Sequence, residues 1–557
     1  MTHAQEVGMR TGGDLVIETL SALGATTVFG IPGQHALGLF DALGRSPLQY
    51  ISSRVENNAA FAADGFARVT NQPGVLIVST GPGALTALAG IQEAYASSVP
   101  MIVIASQIPQ AGLGGRRKGM LHELDDQKAA ARNVTKTQHT IHHASAIPAV
   151  VEDAWRTALS APQGPVWVEI PQDVLLHPAP IPPPCDLSIT LAQLTPHHSS
   201  VARAAQLLSA ARRPAIIAGG GVRRSGMAAQ QALAMLAELL DAPVVCTPGG
   251  NTAFPYDHPL SLGGWVEDRY VTEVFEDADV LLAVGTALGE VSSNYYSMQP
   301  RGQLIHIDAE PRVLEANYPG LGIRADAELA LEAILSAIQH GPKPTVSNWH
   351  GLTAAKLVAK VRRQITDRIA HQDLEHEQSI MRSIRNAVPD DAHTYWDMTI
   401  AGYWAWNTWD TKHGAFHSAQ GAGGIGYAFP SALGGAVGLQ QRVLAVSGDG
   451  SAMYSIAELA AAKQHNVPVT WLIIDDGGYG ILREYMHDAF GQTVGTELTR
   501  PDFVALAQSF GVSATLTDPA SLVDDLQAAW LATGPNVLVL PTTLKMWTPT
   551  HQTFDRA

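Results

Sequence analysis

Two stretches decide the reading of the fold: Arg442-Val443-Leu444-Ala445-Val446-Ser447-Gly448-Asp449-Gly450-Ser451 and Val467-Pro468-Val469-Thr470-Trp471-Leu472-Ile473-Ile474-Asp475-Asp476-Gly477-Gly478. Each is a short apolar run of the kind buried in a parallel sheet, and each ends in glycine and aspartate. Between them, Ser455 to Gln464 has helical composition and spacing. The pattern predicts a β-α-β unit whose polar residues fall at the carboxyl ends of both strands, the edge where open α/β sheets bind ligands. Two acidic side chains there suit Mg²⁺, which prefers hard oxygens and takes phosphate oxygens as further ligands. The glycines allow the backbone to approach a diphosphate. Gly-Asp-Gly alone also marks plain turns; the second acidic site and the flanking strands favour the metal reading.

Working outward, residues from about Gly12 to Val174 alternate strands and helices. Thr26–Gly30, Gly74–Thr80, Pro100–Ala105 and Val166–Ile170 read as strands. A Pro-rich stretch, His177 to Pro184, reads as an extended linker. A second α/β unit begins near Ser200, with strands at Pro214–Ala218, Asp279–Gly285 and Gln303–Asp308. A charged stretch from Thr353 to Gln378 reads as one connecting helix, and the third unit follows. The expectation is three doubly wound α/β domains with parallel sheets, at residues 1–176, 200–340 and 375–557.

Bulk properties narrow the class. Lys and Arg number 35 and Asp and Glu 51, a net charge of −16, which argues against a nucleic-acid partner. Two cysteines, Cys185 and Cys246, allow neither a disulfide framework nor a cysteine metal cluster, and they fit a reducing cytoplasm. No apolar run approaches the length of a membrane span, and the amino terminus shows no signal-peptide pattern.

The motif pair resembles that of the thiamine diphosphate (ThDP) enzymes of the acetolactate synthase, pyruvate oxidase and 2-oxo-acid decarboxylase group. The resemblance spans nearly the whole chain: a pyrimidine-binding domain, a middle Rossmann-like domain and a diphosphate-binding domain. It implies that Asp449, Asp476 and the Gly478 carbonyl hold the metal, with Gly448, Gly450 and Ser451 beside the diphosphate. Asp475-Asp476 stands where the family usually has Asn-Asn; a carboxylate still ligates Mg²⁺. A second pattern, Gly421-Ala422-Gly423-Gly424-Ile425-Gly426, is similar to the family loop that bends the cofactor. It assigns Ile425 as the wedge under the thiazolium and Gly423 as the carbonyl partner of the 4′-amino group.

In the first domain, Ser53-Arg54-Val55-Glu56 followed by Asp64-Gly65-Phe66-Ala67-Arg68 resembles the segment whose glutamate activates ThDP, so Glu56 is the candidate activating acid. Such a glutamate needs a pKa raised by burial. By itself, an acid at a helix start is also just a favourable charge at the positive end of the dipole. Gln34 and His35, after Phe29–Pro32, and His122, in Leu121–Gln127, match loops that carry active-site groups in relatives, and histidines there can move protons near neutral pH. Leu482 occupies the place of a catalytic glutamate in pyruvate decarboxylases, which counts against that activity.

Acetolactate synthases bind FAD through runs that Gly263–Val266 and Thr286–Val291 do not match here, so no FAD is expected. The resemblance implies a ThDP- and Mg²⁺-dependent decarboxylase or carboligase acting on a 2-oxo acid or aldehyde through a carbanion carried on the cofactor. Acetolactate synthase is the runner-up, and a catalytically silent protein of the same fold is the alternative of another class. It further implies a homo-oligomer, a dimer with shared sites that pairs into a tetramer.

Overall fold

A computed structural model describes residues 8–184 and 187–550; Cys185 lies outside the described residues. Three parallel sheets carry the chain. The first has six strands in the order Gln49–Ser52, Thr27–Gly30, Gly74–Val78, Met101–Gln107, Pro165–Pro171 and Gln138–Thr140. The middle sheet has five, ordered Val244–Cys246, Pro214–Ala218, Val280–Val284, Gln303–Asp308 and Leu321–Arg324. The third repeats the order of the first: Ala415–Ser418, His393–Trp396, Val443–Gly448, Val469–Asp475, Asn536–Pro541 and Ser513–Leu516. The central strand Gly74–Val78 is buried along its whole length, and Val443–Gly448 and Val469–Asp475 are buried at every residue but the last. Helices on both faces demand this, and it is why these strands read as continuous apolar runs.

The first and third domains share one core. Phe29, Phe61 and Trp167 pack in the same cluster as Tyr395, Phe429 and Trp471. Its spine is a pair of helices, Glu56–Thr70 and Ala428–Leu439. Their contact is built from small residues: a Cβ on Gly65 would stand 2.0 Å from the Ser431 carbonyl oxygen, and one on Gly434 would stand 1.8 Å from that of Ala62. Only glycine lets two backbones approach so closely. The helix that starts at Glu56 is thereby locked to the helix that follows the Gly421–Gly426 loop. A second core joins the middle domain to the other face of the third sheet through Trp396, Trp404 and Trp406.

Three expectations change. The charged connector is two helices, Ala354–Ala370 and Glu375–Ala387. They break where Asp373 takes a left-handed φ of 53°, a conformation aspartate tolerates better than most residues. The Pro-rich stretch is tied down, because Ala179–Pro180 pairs antiparallel with Met9–Arg10. The helix expected from Ser455 starts only at Glu458, and a separate turn of helix, Asp449–Ala452, begins directly at the motif aspartate.

Candidate active site

The carboxyl edge of the third sheet opens into a cleft of about 460 Å³. Gly423, Ile425, Gly448, Ser451, Asp476 and Gly478 line it together. Asp449 stands at the first position of its short helix and is 1% exposed. Among the described residues neither of its carboxylate oxygens accepts from a backbone amide, hydroxyl or cationic side chain at hydrogen-bond distance, and Arg500 Nε is 4.0 Å away. Asp476 faces it from the end of the next strand. Burial first, and the Asp449 charge second, raise the Asp476 carboxyl above the usual range. The Gly478 amide donates to Asp476 Oδ1 at 3.3 Å, while a Cβ on Gly480 would lie 2.0 Å from Oδ2. A buried and a half-buried acid facing each other form a donor set that suits a divalent cation. Asp475 turns elsewhere and meets Arg500 Nε at 2.7 Å.

The loop that carries Gly423 and Ile425 is held amide by amide. Gly421 N and Ala422 N donate to the two oxygens of Glu93 at 3.1 and 2.7 Å. Gly423 N donates to the Ala419 carbonyl at 2.9 Å and Gly426 N to Ser451 Oγ at 2.8 Å. Tyr427 N and Ala428 N both donate to Asp397 Oδ1, at 2.7 and 3.1 Å. Gly423 itself needs to be glycine because its φ is +72°.

Glu93 comes from the first domain and is fully buried. Its charge is met by Arg68 Nη2 at 3.1 Å, and Arg68 also pairs with Asp64 at 2.6 Å. Sequence reading missed Glu93, Asp397 and Arg500. The available signal for Glu93 was a single acid on the small apolar helix Leu88–Ala96.

The first-domain candidates gather at the equivalent edge of their own sheet. Glu56 opens its helix, and a Cβ on Gly83 would stand 3.1 Å from its Oε1. Burial raises the Glu56 carboxyl, as a proton-exchanging acid requires. The His35 and His122 rings meet edge to face, 5.5 Å between centroids. Burial, then the neighbouring His122, lowers the His35 pKa. Both Nδ1 atoms and the nearby Ser79 Oγ are buried without a partner. Gln34 lies exposed at the rim, and its carbonyl accepts from Gln172 Nε2 at 3.2 Å. Glu56, His35 and His122 thus gather at one edge, but none of the described first-domain residues is among those lining the cleft of the third domain.

A second carboxylate ties the first and third domains within a chain. Glu458, on the helix after the metal motif, accepts from Arg54 N at 2.9 Å, Val55 N at 3.2 Å and Asn58 Nδ2 at 3.2 Å. It caps the helix that Glu56 begins.

Models of the thiamine pyrophosphate enzyme N-terminal TPP-binding, central and C-terminal TPP-binding domains match residues 10–130, 201–334 and 397–540 in that order. The chain belongs to the thiamine pyrophosphate enzyme family. Among its relatives, the probable 2-ketoarginine decarboxylase AruI of Pseudomonas aeruginosa is 34% identical over 95% of this chain and 94% of that protein. A probable acetolactate synthase large subunit of Methanocaldococcus jannaschii is 30% identical over 95% and 91%. Acetolactate synthase isozyme 3 large subunit of Escherichia coli is 29% identical over 95% and 94%. Like other family members, the chain is a ThDP-dependent enzyme acting on 2-oxo acids. Among the described residues, no helix is long and apolar enough to cross a membrane.

Proposed function

We propose that this chain is a ThDP- and Mg²⁺-dependent 2-oxo-acid decarboxylase or carboligase that works in the cytoplasm without FAD, as a homo-oligomer with shared sites. The observation that carries the reading is the facing pair Asp449 and Asp476 beside the anchored Gly423–Ile425 loop. Asp449, Asp476 and the Gly478 carbonyl would hold the metal and, through it, the diphosphate. Ile425 and Gly423 would orient the cofactor rings. When bound, ThDP supplies the electron sink that a 2-oxo acid needs to lose CO₂.

The chain's own residues bind, orient and move protons. Glu56, with its raised pKa, exchanges a proton with the aminopyrimidine. His35 and His122 handle protons on the substrate side; among the described residues their buried Nδ1 atoms have no hydrogen-bond partner. Leu482 lines the cleft and offers no carboxylate there, so protonation falls to the histidines.

Two features support a site shared between chains. Among the described residues of a single chain, none of the first domain lines the cleft. In addition, Leu37, Leu85 and Leu121 around one half, and Met453, Tyr454 and Leu482 around the other, are exposed. Exposed apolar groups of this size suit an interface. A symmetric dimer that sets Glu56 of one chain against the cofactor of the other gives two equivalent sites.

The test is CO₂ release from a panel of 2-oxo acids with ThDP and Mg²⁺ added, alongside calorimetric ThDP binding. Wild type and Asp476→Asn, which restores the usual family residue, should bind ThDP, while Asp449→Ala should not. Full cofactor binding by Asp449→Ala would sink the metal assignment. Acetolactate synthase is the second reading, favoured by two of the relatives; acetolactate as the main product from pyruvate would decide for it.

A further inference from the structure

A small cavity of about 120 Å³ lies where all three domains meet, and Arg68, Arg223, Arg224, His393 and His417 line it together. Arg68 stands in the last turn of helix Glu56–Thr70, and Arg223 and Arg224 end helix Gly220–Arg224. His393 opens strand His393–Trp396, and the paired strand Ala415–Ser418 carries His417. The cofactor cleft lies at the other, carboxyl ends of the third sheet's strands, and the two spaces share no lining residue.

Three guanidiniums at one cavity repel one another unless anions separate them. Arg68 has carboxylates, Asp64 at 2.6 Å and Glu93 at 3.1 Å. Even so, its side chain is 1% exposed and its Nη1 is buried without a hydrogen-bond partner. Arg223 and Arg224 meet neutral acceptors instead. Arg223 Nη1 donates to the Phe416 carbonyl at 3.0 Å and lies 3.4 Å from His417 Nδ1, while Arg224 Nη1 donates to the Ser97 carbonyl at 3.0 Å. Among the described residues neither forms an ion pair; Asp64 acts on Arg223, and Asp308 on Arg224, from farther off than an ion pair allows. Burial lowers both guanidiniums to about 10, with Arg68 adding to the effect at each.

The histidines add no compensating charge, but they orient a donor. Burial first, and Arg223 second, hold His417 well below its usual range and His393 at about 4. A guanidinium can only donate, so His417 Nδ1 accepts from Arg223. His417 then carries its hydrogen on Nε2 and donates to His393 Nδ1 at 3.3 Å. His393 in turn keeps its own hydrogen on Nε2, which makes it a donor as well. A cavity of this size has room for several waters or one oxyanion, and guanidinium forks match phosphate oxygens two at a time.

We infer that Arg68, Arg223, Arg224 and His393 form an anion site at the three-domain junction, which receives a tetrahedral oxyanion of the phosphate type, as the free ion or as a phosphate group on a larger molecule. Arg68 links this site to the cofactor loop, because the Glu93 it pairs with holds the Gly421 and Ala422 amides.

The test is calorimetric binding of inorganic phosphate and of phenyl phosphate to dialysed holoenzyme. The cofactor site is kept filled with ThDP and Mg²⁺, and sodium chloride matches the ionic strength. At least one probe should bind at millimolar concentration or below, and the tighter of the two tells the free ion from the carried group. Arg223→Met and Arg224→Met, which keep an apolar stem, should each weaken that binding on the order of 10- to 100-fold, the range of a hydrogen bond to a charged group. Without phosphate, Arg223→Met should be at least as heat-stable as wild type, because it removes a charge that has no ion-pair partner. Adding phosphate should raise the thermal midpoint of wild type more than that of the variant. No binding of either probe to wild type overturns the inference, whether or not the variants fold. Binding that both variants keep at full strength also overturns it, because the ion then sits elsewhere. A rise in the wild-type midpoint that sodium chloride alone reproduces overturns the oxyanion assignment.

Discussion

The first and third domains have the same strand order, and their carboxyl edges do different work. The third sheet's edge holds facing carboxylates, an anchored glycine loop and a helix that begins at Asp449. The first sheet's edge holds a raised-pKa glutamate, two histidines and an unpartnered serine hydroxyl. Topology places a crevice at both edges; the loops decide which side chains it holds, and in the proposed function one edge takes a phosphate and metal while the other moves protons. The difference also explains the two buried carboxylates that cross between the domains. Glu93 of the first domain grips the cofactor loop of the third, and Glu458 of the third caps the Glu56 helix of the first.

The largest effects should come from breaking either edge alone. Glu56→Gln should slow turnover of every substrate on the order of 10²-fold or more, the scale of lost acid–base assistance, and leave ThDP binding in place. Mixing Glu56→Gln chains with Asp449→Ala chains, each inactive alone, should restore part of the activity if the edges meet across two chains. Hybrids seen by native mass spectrometry without recovered turnover would falsify the shared site.

A smaller effect should follow from loosening the link at Glu93. Glu93→Ala leaves two loop amides without an acceptor and removes one of the carboxylates around Arg68. Breaking a buried pair costs about 3–5 kcal/mol, and ThDP affinity should weaken on the order of 10-fold. The shift in thermal midpoint on adding ThDP and Mg²⁺ measures this, and an unchanged shift would confine Glu93 to fold stability.

The smallest effect concerns pH. Burial pushes the Glu458 carboxyl up from 4.5 to about 7. A raised folded-state pKa means that the folded chain keeps a proton the unfolded chain releases. That contribution is fully present below the unfolded value and is lost as pH rises through the folded one. Glu458→Gln cannot ionise, so its fall in Tm between about pH 5 and 8 should be shallower than that of wild type. Parallel Tm profiles would show that Glu458 is ionised throughout.

The site was legible where chemistry is local in the chain. Asp449, Asp476, Gly423 and Ile425 sit in short motifs at strand ends and loop glycines, where backbone geometry limits which residues fit. Glu56 was singled out by the resemblance of Ser53–Glu56 and Asp64–Arg68 to a family segment, since by itself an acid at a helix start reads as a charge on the helix dipole. The split of the 353–378 stretch into two helices was not visible, since its periodicity continues through Asp373 and only the left-handed turn ends it.

By itself the sequence determined three α/β domains and the acidic and glycine-rich segments that meet at the edge of the third sheet, because apolar runs, glycines and acids at strand ends act over a few residues. Only the tertiary structure decided which distant acids serve those motifs. Glu93 meets Gly421 across more than three hundred residues, and Glu458 meets Arg54 across four hundred and four. A buried carboxylate is costly until a partner is found, and those partners are set by how the domains pack.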